Sequence, residues 1–566
     1  MKKRLISLLL AFSMMLTFLP AGAVSAFAEG TADDTTKGEL LTDGKTITES
    51  GTYQLKGPYT QGITINTEDS VEINVTGNVT GNLPDTSGAL IYIKNGTVTF
   101  NGNGHTVTST KVIYNEGGNL TVQGGTYVCQ AHDYKADASC FALCSGENRI
   151  ENVTIETDDE AITVALNCEN AVIKKSKITK KYEGWSFGAI QCHAANGNVE
   201  LDDVEVEAEN GHALRFTKGI ITINGGTYTA KNGYVIGPTD NENEDLNLTI
   251  NGGTFQGNDR YTVASFGCYQ GYRDRTCNIQ IHGGRFVGGQ LLAFYGSSAK
   301  TLTIDRDTTF ESTGSTLDAV VVGNGQLIFD SGTIEVSGGS ERSALRTFER
   351  GEAIVNGGTF KGAKYDIYER NNDYRVSPDR VQLKNATFDD DVCNVCLEKD
   401  LQIDVAQNYT GQVTIECKDP SDGRQLTKAT ETNYQKDLNL TSANKDYLVG
   451  YKKTTDGEYR CLSKKVGVTI EGLENAAIKE GESKGFTVKV DPKGDANLGE
   501  AIIDFGDKNS EIEYKDKTGA YQRMPEGGLK IGLGDGEHEF RITPPKSRQA
   551  DPDRCCGAGC CGSGHR

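Results

Sequence analysis

The chain is short of tryptophan, proline, methionine and long apolar runs. Of its 566 residues one is Trp (Trp185), 11 are Pro and 4 are Met. Beyond residue 20 no segment approaches the ~20 apolar residues that a membrane span needs. Cations are also the minority: 58 Lys and Arg against 78 Asp and Glu leave a formal net charge of −20 at pH 7. That balance argues against nucleic acid, whose binders meet phosphates with clustered Lys and Arg, and against anionic lipid. No helix-period segment longer than a turn or two is present, which excludes a helical architecture. Glycine, in contrast, is abundant at 68 residues, the composition of many tight turns between short strands.

Those glycines are ordered. Five times a strand ends in two glycines and restarts on an aromatic: Gly124-Gly125-Thr126-Tyr127, Gly225-Gly226-Thr227-Tyr228, Gly252-Gly253-Thr254-Phe255, Gly283-Gly284-Arg285-Phe286 and Gly357-Gly358-Thr359-Phe360. Degenerate copies fill the gaps, as at Asn95-Gly96-Thr97, Asn152-Val153-Thr154-Ile155, Ser331-Gly332-Thr333-Ile334 and Asn385-Ala386-Thr387-Phe388. The step is about two dozen residues, the size of one supersecondary unit that must stack on copies of itself to bury its apolar face. The expected fold is therefore all-β: a right-handed parallel β-helix, a solenoid of about a dozen coils with strands ~4.8 Å apart, giving a rod of about 55–60 Å.

The ends divide the chain further. Lys2, Lys3 and Arg4, the apolar run Leu5 to Leu19 and the small-x-small site Ala26-Phe27-Ala28 predict a signal peptide over residues 1–28, hence a secreted or extracellular, cell-surface-associated protein. Residues 29–45 are polar and read as a disordered lead-in. The parallel β-helix is expected over 46–415, with its N-terminal cap at about 46–70 covering an open strand edge. An irregular β extension follows over 416–465. Alternating segments such as Phe486-Thr487-Val488-Lys489-Val490 and His538-Glu539-Phe540-Arg541-Ile542 predict a small immunoglobulin-like β-sandwich over 466–543. Residues 544–566 form a Cys-rich tail unlike a folded domain. The chain carries no Leu-Pro-x-Thr-Gly sorting motif.

The evenest spacing lies between Phe141 and Phe216. Cys144, Cys168, Cys192 and Phe216 follow one another at steps of 24, as do Phe141, Ala165, Ala189 and Ala213. On that register Leu166, Cys168, Ile190, Cys192, Leu214 and Phe216 face the core. Asn167, Gln191 and Arg215 then form one outward column, and Glu169, His193 and Thr217 the next, with Lys218 close by. This is the densest group of acid–base and hydrogen-bonding side chains in the sequence, and it suits an anionic sugar. An ordinary solvated face of a solenoid also carries such a mixture. The 15 cysteines are odd in number and unevenly placed, so a column of buried thiols at 144, 168 and 192 is expected rather than a disulfide framework. Cys268 and Cys277 could staple a loop, and Cys393-Asn394-Val395-Cys396 has the spacing of half a zinc site. No cofactor is required by any motif. Calcium is the one ion that short acidic loops such as Asp240–Asp245 or Asp389–Asp391 could hold, though without EF-hand spacing.

Over roughly residues 46–415 this organisation resembles the pectate-lyase-like β-helix superfamily. Its Asn-Gly-Gly-Thr-Phe repeat is similar to that of exported cell-surface β-helix proteins of Gram-positive gut bacteria. The superfamily includes polysaccharide lyases and polygalacturonase-type hydrolases, the latter with Asn-Thr-Asp, Asp-Asp, Gly-His-Gly and Arg-Ile-Lys in that order. This chain has fragments of the pattern: Asp158-Asp159, Gly211-His212-Ala213 and Arg215-Phe216-Thr217-Lys218. The second glycine is missing, and no Asn-Thr-Asp precedes Asp158. For a calcium-assisted lyase the resemblance points to Asp158, Asp159 and Glu183 as an acidic cluster with Arg215 as base. Repeats with variable outward faces and an appended module lead to three expectations. The first is an adhesin-like binding protein for polysaccharides or cell-surface glycans. The others are a carbohydrate-active enzyme acting on an acidic polysaccharide, and a stalk presenting the C-terminal module.

Overall fold

In the computed structural model the described residues run from 38 to 544, except 84–87, 131–138, 182–187, 195–196, 238–245, 267–276, 296–300, 315, 338–340, 371–378, 389–392, 465–466, 474–477, 480–481, 492–499, 504–509, 526–528 and 533–536. The signal-peptide and tail segments, Trp185, Glu183, Cys268 and both acidic loops lie outside them. Thirty-seven strands join into one continuous parallel solenoid of about 13 turns. Among the described residues no helix is long and apolar enough to cross a membrane.

Each full turn has three faces. Face A includes Gly188–Cys192, His212–Phe216 and Thr262–Phe266; face B includes Asn198–Asp202, Cys277–Ile281 and Thr301–Ile304; face C includes Lys177–Lys180, Arg285–Gly288 and Thr309–Ser312. The strand Leu246–Gln256 shows how sequence makes a turn of the coil. Leu246, Leu248 and Ile250 alternate inward, the Gly252-Gly253 corner follows, and Phe255 re-enters the core at 0% exposure. The aromatic after each paired glycine therefore builds an internal ladder: Tyr228–Phe255, Phe255–Phe286 and Phe286–Phe310 stack at 5.2, 4.6 and 4.8 Å with interplanar angles of 11°, 12° and 19°. The threonine between them stands outward, with Thr227 beside Thr254. At Gly226 the backbone has φ +95°, and a Cβ would fall 2.2 Å from the Val204 carbonyl oxygen, so only glycine fits. Coils without paired glycines keep a left-handed residue at the same corner: Asn152, Lys175 and Asp203 have φ of 55°, 45° and 53°.

The coil-to-coil step is not uniform. Phe141 lies beside Ile162, Ile162 beside Ile190 and Ile190 beside Leu214, steps of 21, 28 and 24 residues. A short coil and a long one nearly cancel, which is why the sequence presents an even period of 24 there. The expected stack of Cys144, Cys168 and Cys192 is corrected accordingly. Cys168 stands beside Gly146, Cys192 beside Val164, and a bulge interrupts the register at Cys144. Cys168 and Cys192 are nonetheless buried, and no S–S bond joins any two of the ten described cysteines in this structure.

At the N-terminal end Thr46–Ile47 and Gly51–Tyr59 already pair in parallel with Ile63–Gly81, so coil pairing runs through the segment expected to cap it. Glu39–Leu40, inside the expected lead-in, pairs with the same layer. At the other end Val413–Cys417 and Leu440–Ser442 continue the stack, and an antiparallel hairpin of Tyr447–Thr454 and Gly457–Lys464 follows. Leu426, Leu438, Leu440 and Leu462 extend the main core to this point. Beyond it lie two small antiparallel sheets, of five and two strands, with a core of Phe486, Val488, Ile512, Ile531 and Phe540.

Candidate functional site

The chemistry gathers where face C turns into face A. Thr157 ends the face C strand Thr154–Thr157; its hydroxyl donates to the Glu160 carbonyl (3.3 Å) and accepts the Asp159 N–H (3.1 Å). This bend presents two consecutive carboxyl groups beside the next coil. Glu160 is buried at 6% exposure, and its Oε1 accepts a hydrogen bond from Gln191 Nε2 at 2.8 Å. The other oxygen, Oε2, is buried and finds no donor among the described residues. Asp159 and Glu160 meet side chain to side chain, a contact that becomes a hydrogen bond only when one carboxyl holds a proton. Burial first, and the Asp159 charge second, push the Glu160 carboxyl up to about 7.

Lys180 ends the face C strand Lys177–Lys180 at an inward position and is fully buried. Burial lowers its ammonium, and the Asp159 and Glu160 charges oppose that shift. His212, on the next coil of face A, is pushed down to about 4 by burial, then by the Lys180 and Arg215 charges, so it is neutral at pH 7. Its Nδ1 accepts the Tyr234 N–H at 3.4 Å, which leaves the proton on Nε2. Gly237 makes room for the ring, since a Cβ there would lie 2.6 Å from His212 Cδ2. The corner thus holds two carboxyl groups in contact, a buried lysine and a neutral imidazole.

The shift on Glu160 has a sign that can be measured. A carboxyl raised in the fold favours its protonated form, so its contribution is full below the unfolded value near 4.5 and is lost as pH rises through about 7. Glu160→Gln keeps the shape and removes the titration. Thermal melts of both proteins between pH 5 and 8 are expected to show the variant gaining on the wild type as pH rises. A difference that stays constant with pH would contradict the assignment.

The structure brings together part of the predicted site. Gln191 and Arg215 are neighbours on adjacent coils, and Arg215 Nη1 reaches Gln191 Oε1 at 3.5 Å. His193 Nδ1 and the Thr217 hydroxyl lie 2.8 Å apart, the expected neighbours, but Thr217 and Gln191 are buried, which corrects their outward placement. Asn167 and Glu169 fall elsewhere, which corrects the expected columns. Asn167 stands beside Ser145, and Thr163 is the residue beneath Gln191. Asn170 stands beside Asn198, so Glu169 sits at the far end of its rung from His193. Both corrections follow from the 28-residue step between Ile162 and Ile190.

Asp159 belongs to the corner, Asp158 is beside it in sequence, and Glu183 lies outside the described residues. Sequence reasoning missed Glu160 and Lys180. The legible signal for Lys180 was its inward parity in Lys177-Ile178-Thr179-Lys180. A separate groove of about 510 Å³ opens at the B-to-C corner, lined by Asn152, Lys175, Lys177, Asp203 and Glu205 among others. An ion pair of 2.7 Å between Lys177 and Glu205 occupies its rim, and Asp159, Glu160, Lys180, Gln191, His212 and Arg215 do not line it. Among the described residues no group of three or more His, Cys, Asp or Glu is placed to hold a metal ion. No protein-family model matches the chain, and neither a curated protein nor a solved structure matches it.

Proposed function

We propose that the protein is an exported, adhesin-like binding solenoid that engages polysaccharides or cell-surface glycans along the outer side of face A. The observation that carries this reading is where the chain spends its extra length. Crossings from face B to face C are tight, as between Asn119–Gln123 and Thr126–Cys129 or between Asn198–Asp202 and Val204–Asn210. The long connections leave or enter face A instead. They include those before Phe141–Glu151 and Gly188–Cys192, and those after Ile236–Gly237, Thr262–Phe266 and Tyr365–Glu369. Variable connections bordering one face of a rigid scaffold are where recognition is normally built. Within that border the partly exposed His193 and Arg215 offer an imidazole and a guanidinium on adjacent coils, held from beneath by the buried Thr217 and Gln191, a pair suited to a carboxylate-bearing sugar.

A glycan array, followed by titration of acidic polysaccharides with and without calcium, tests the reading. Arg215→Ala is expected to weaken binding of an acidic glycan about tenfold or more, the loss of one charge-assisted hydrogen-bond pair. Unchanged affinity in that variant would remove this patch from the ligand face. A second reading, a carbohydrate-active enzyme of the pectate-lyase-like kind, is favoured by the Asp159–Glu160 pair. A carboxyl raised to about 7 by burial and by a neighbouring carboxyl has the proton affinity a general acid uses. Depolymerisation of an acidic polysaccharide by the wild type and not by Glu160→Gln would favour it. The small C-terminal sheets fit an immunoglobulin-like module, and the signal segment fits export. Calcium is the one cofactor this reading admits.

A further inference from the structure

We propose that Cys129 and Cys140 are the two halves of a disulfide that closes the connection from face C to face A in the fourth layer of the solenoid. Cys129 is the last residue of the face C strand Thr126–Cys129, registered between Ser109 and Thr157 in the neighbouring coils. Cys140 immediately precedes the face A strand Phe141–Glu151, and its backbone is fixed on both sides. Its carbonyl accepts from the Val112 and Ile113 N–H groups at 3.0 and 3.1 Å, and its own N–H donates to the Glu160 carbonyl at 3.0 Å. The ladders therefore hold the two Cα positions in place independently of the ten residues between them.

The side chains converge on the core side of the corner. The thiols hydrogen-bond each other, and Cys129 Sγ also contacts the Thr110 carbonyl at 2.8 Å. Their exposures are 1% and 0%. Disulfide geometry requires close Cβ positions on converging vectors, and thiols already in hydrogen-bond contact need only a short approach to reach bonding distance. The other described cysteines contrast with this pair. Cys168 and Cys192 are out of register, and Cys393 Sγ is directed at the Val395 and Thr414 carbonyls.

The reaction is thiol–disulfide exchange with a small disulfide such as oxidised glutathione. A thiolate from one cysteine attacks the oxidant's S–S bond, one glutathione thiol leaves, and a mixed disulfide forms. The second cysteine's thiolate then attacks that mixed disulfide and displaces the second glutathione. Both cysteines lose a proton, and the two electrons end on two molecules of reduced glutathione. Because both sulfurs are buried in the finished fold, exchange belongs to the folding chain, and the completed bond is sealed from reduction. The bond ties one border of face A to the rod.

The test is refolding of the full chain from denaturant in a reduced and oxidised glutathione mixture, followed by alkylation and a non-reducing peptide map. The expected result is a linked peptide pair joining Cys129 to Cys140, lighter by two hydrogens than the separate peptides. Folding under oxidant should also raise the thermal midpoint of the wild type, a rise that a C129S/C140S double variant lacks. Alkylation of both cysteines in folded, oxidant-treated protein would overturn the proposal. So would an equal response of the double variant, since it would place the redox effect on other cysteines.

Discussion

Replacing Phe286 with alanine is expected to cost about 3–5 kcal/mol of stability, a loss typical of a buried aromatic truncated in a packed core. The ring is fully buried and lies between Phe255 at 4.6 Å and Phe310 at 4.8 Å, nearly parallel to both. Two stacking contacts of about 0.5–1.5 kcal/mol each vanish with it, in addition to the transfer term. The coils above and below are held apart by their backbone ladders, so the cavity has little means of collapse. Phe286→Leu should recover most of the loss because it refills the gap. Denaturant unfolding followed by two probes is the measurement, since stacked repeats can melt in segments. An alanine variant within about 1 kcal/mol of wild type would show that the ladder carries no stability.

The second large effect concerns an ion pair inside the coil. Glu369 occupies an inward position on face A beside Thr347, and Arg380 Nε donates to its Oε1 at 3.3 Å. Both side chains are almost completely inaccessible. Arg380 also donates to the Glu349 carbonyl at 2.5 Å and to the Arg370 carbonyl at 2.7 Å. Burial pushes the Glu369 carboxyl upward, against the attraction of Arg380. The two halves are unequal on removal, because a carboxyl can neutralise itself and a guanidinium cannot. Glu369→Ala strands a buried cation and is expected to cost about 3–5 kcal/mol. Arg380→Ala removes the attraction that holds Glu369 down to about 8, so its cost is expected to be flat below that pH and to grow as pH rises through it, where only the wild type can ionise Glu369. Equal losses in both variants, with the Arg380→Ala loss unchanged between pH 7 and 10, would contradict this account.

The solenoid was legible because its signal is local. Paired glycines, the outward Thr and the inward aromatic occupy fixed offsets within one corner, and each offset is enforced by sterics at positions such as Gly226. Coil length is not local. It depends on how much chain is inserted at the borders of face A, and nothing in the sequence says where an insertion begins. The coils starting at Phe141 and Ile162 therefore differ by several residues while imitating an even period. Gln191 with Arg215 and His193 with Thr217 are neighbours as expected because the coil that joins them has the regular length, although Gln191 and Thr217 are buried and not outward. Asn167 and Glu169 were misplaced because the preceding coil is long. Glu160 was invisible for a related reason. It sits at a corner, where the alternation of inward and outward side chains is interrupted, and only its bond to Gln191 on the next coil shows its role.

The central claim is that the outer side of face A is the ligand surface. Its most direct test compares binding of one acidic polysaccharide to three proteins: the wild type, a His193→Ala/Arg215→Ala face A variant, and a Thr254→Ala/Thr309→Ala face C control. Isothermal titration at fixed ionic strength keeps screening constant across the three. The account predicts that the face A variant loses binding by at least about tenfold while the face C control matches the wild type. Loss confined to the face C variant, or equal binding by all three, would contradict it.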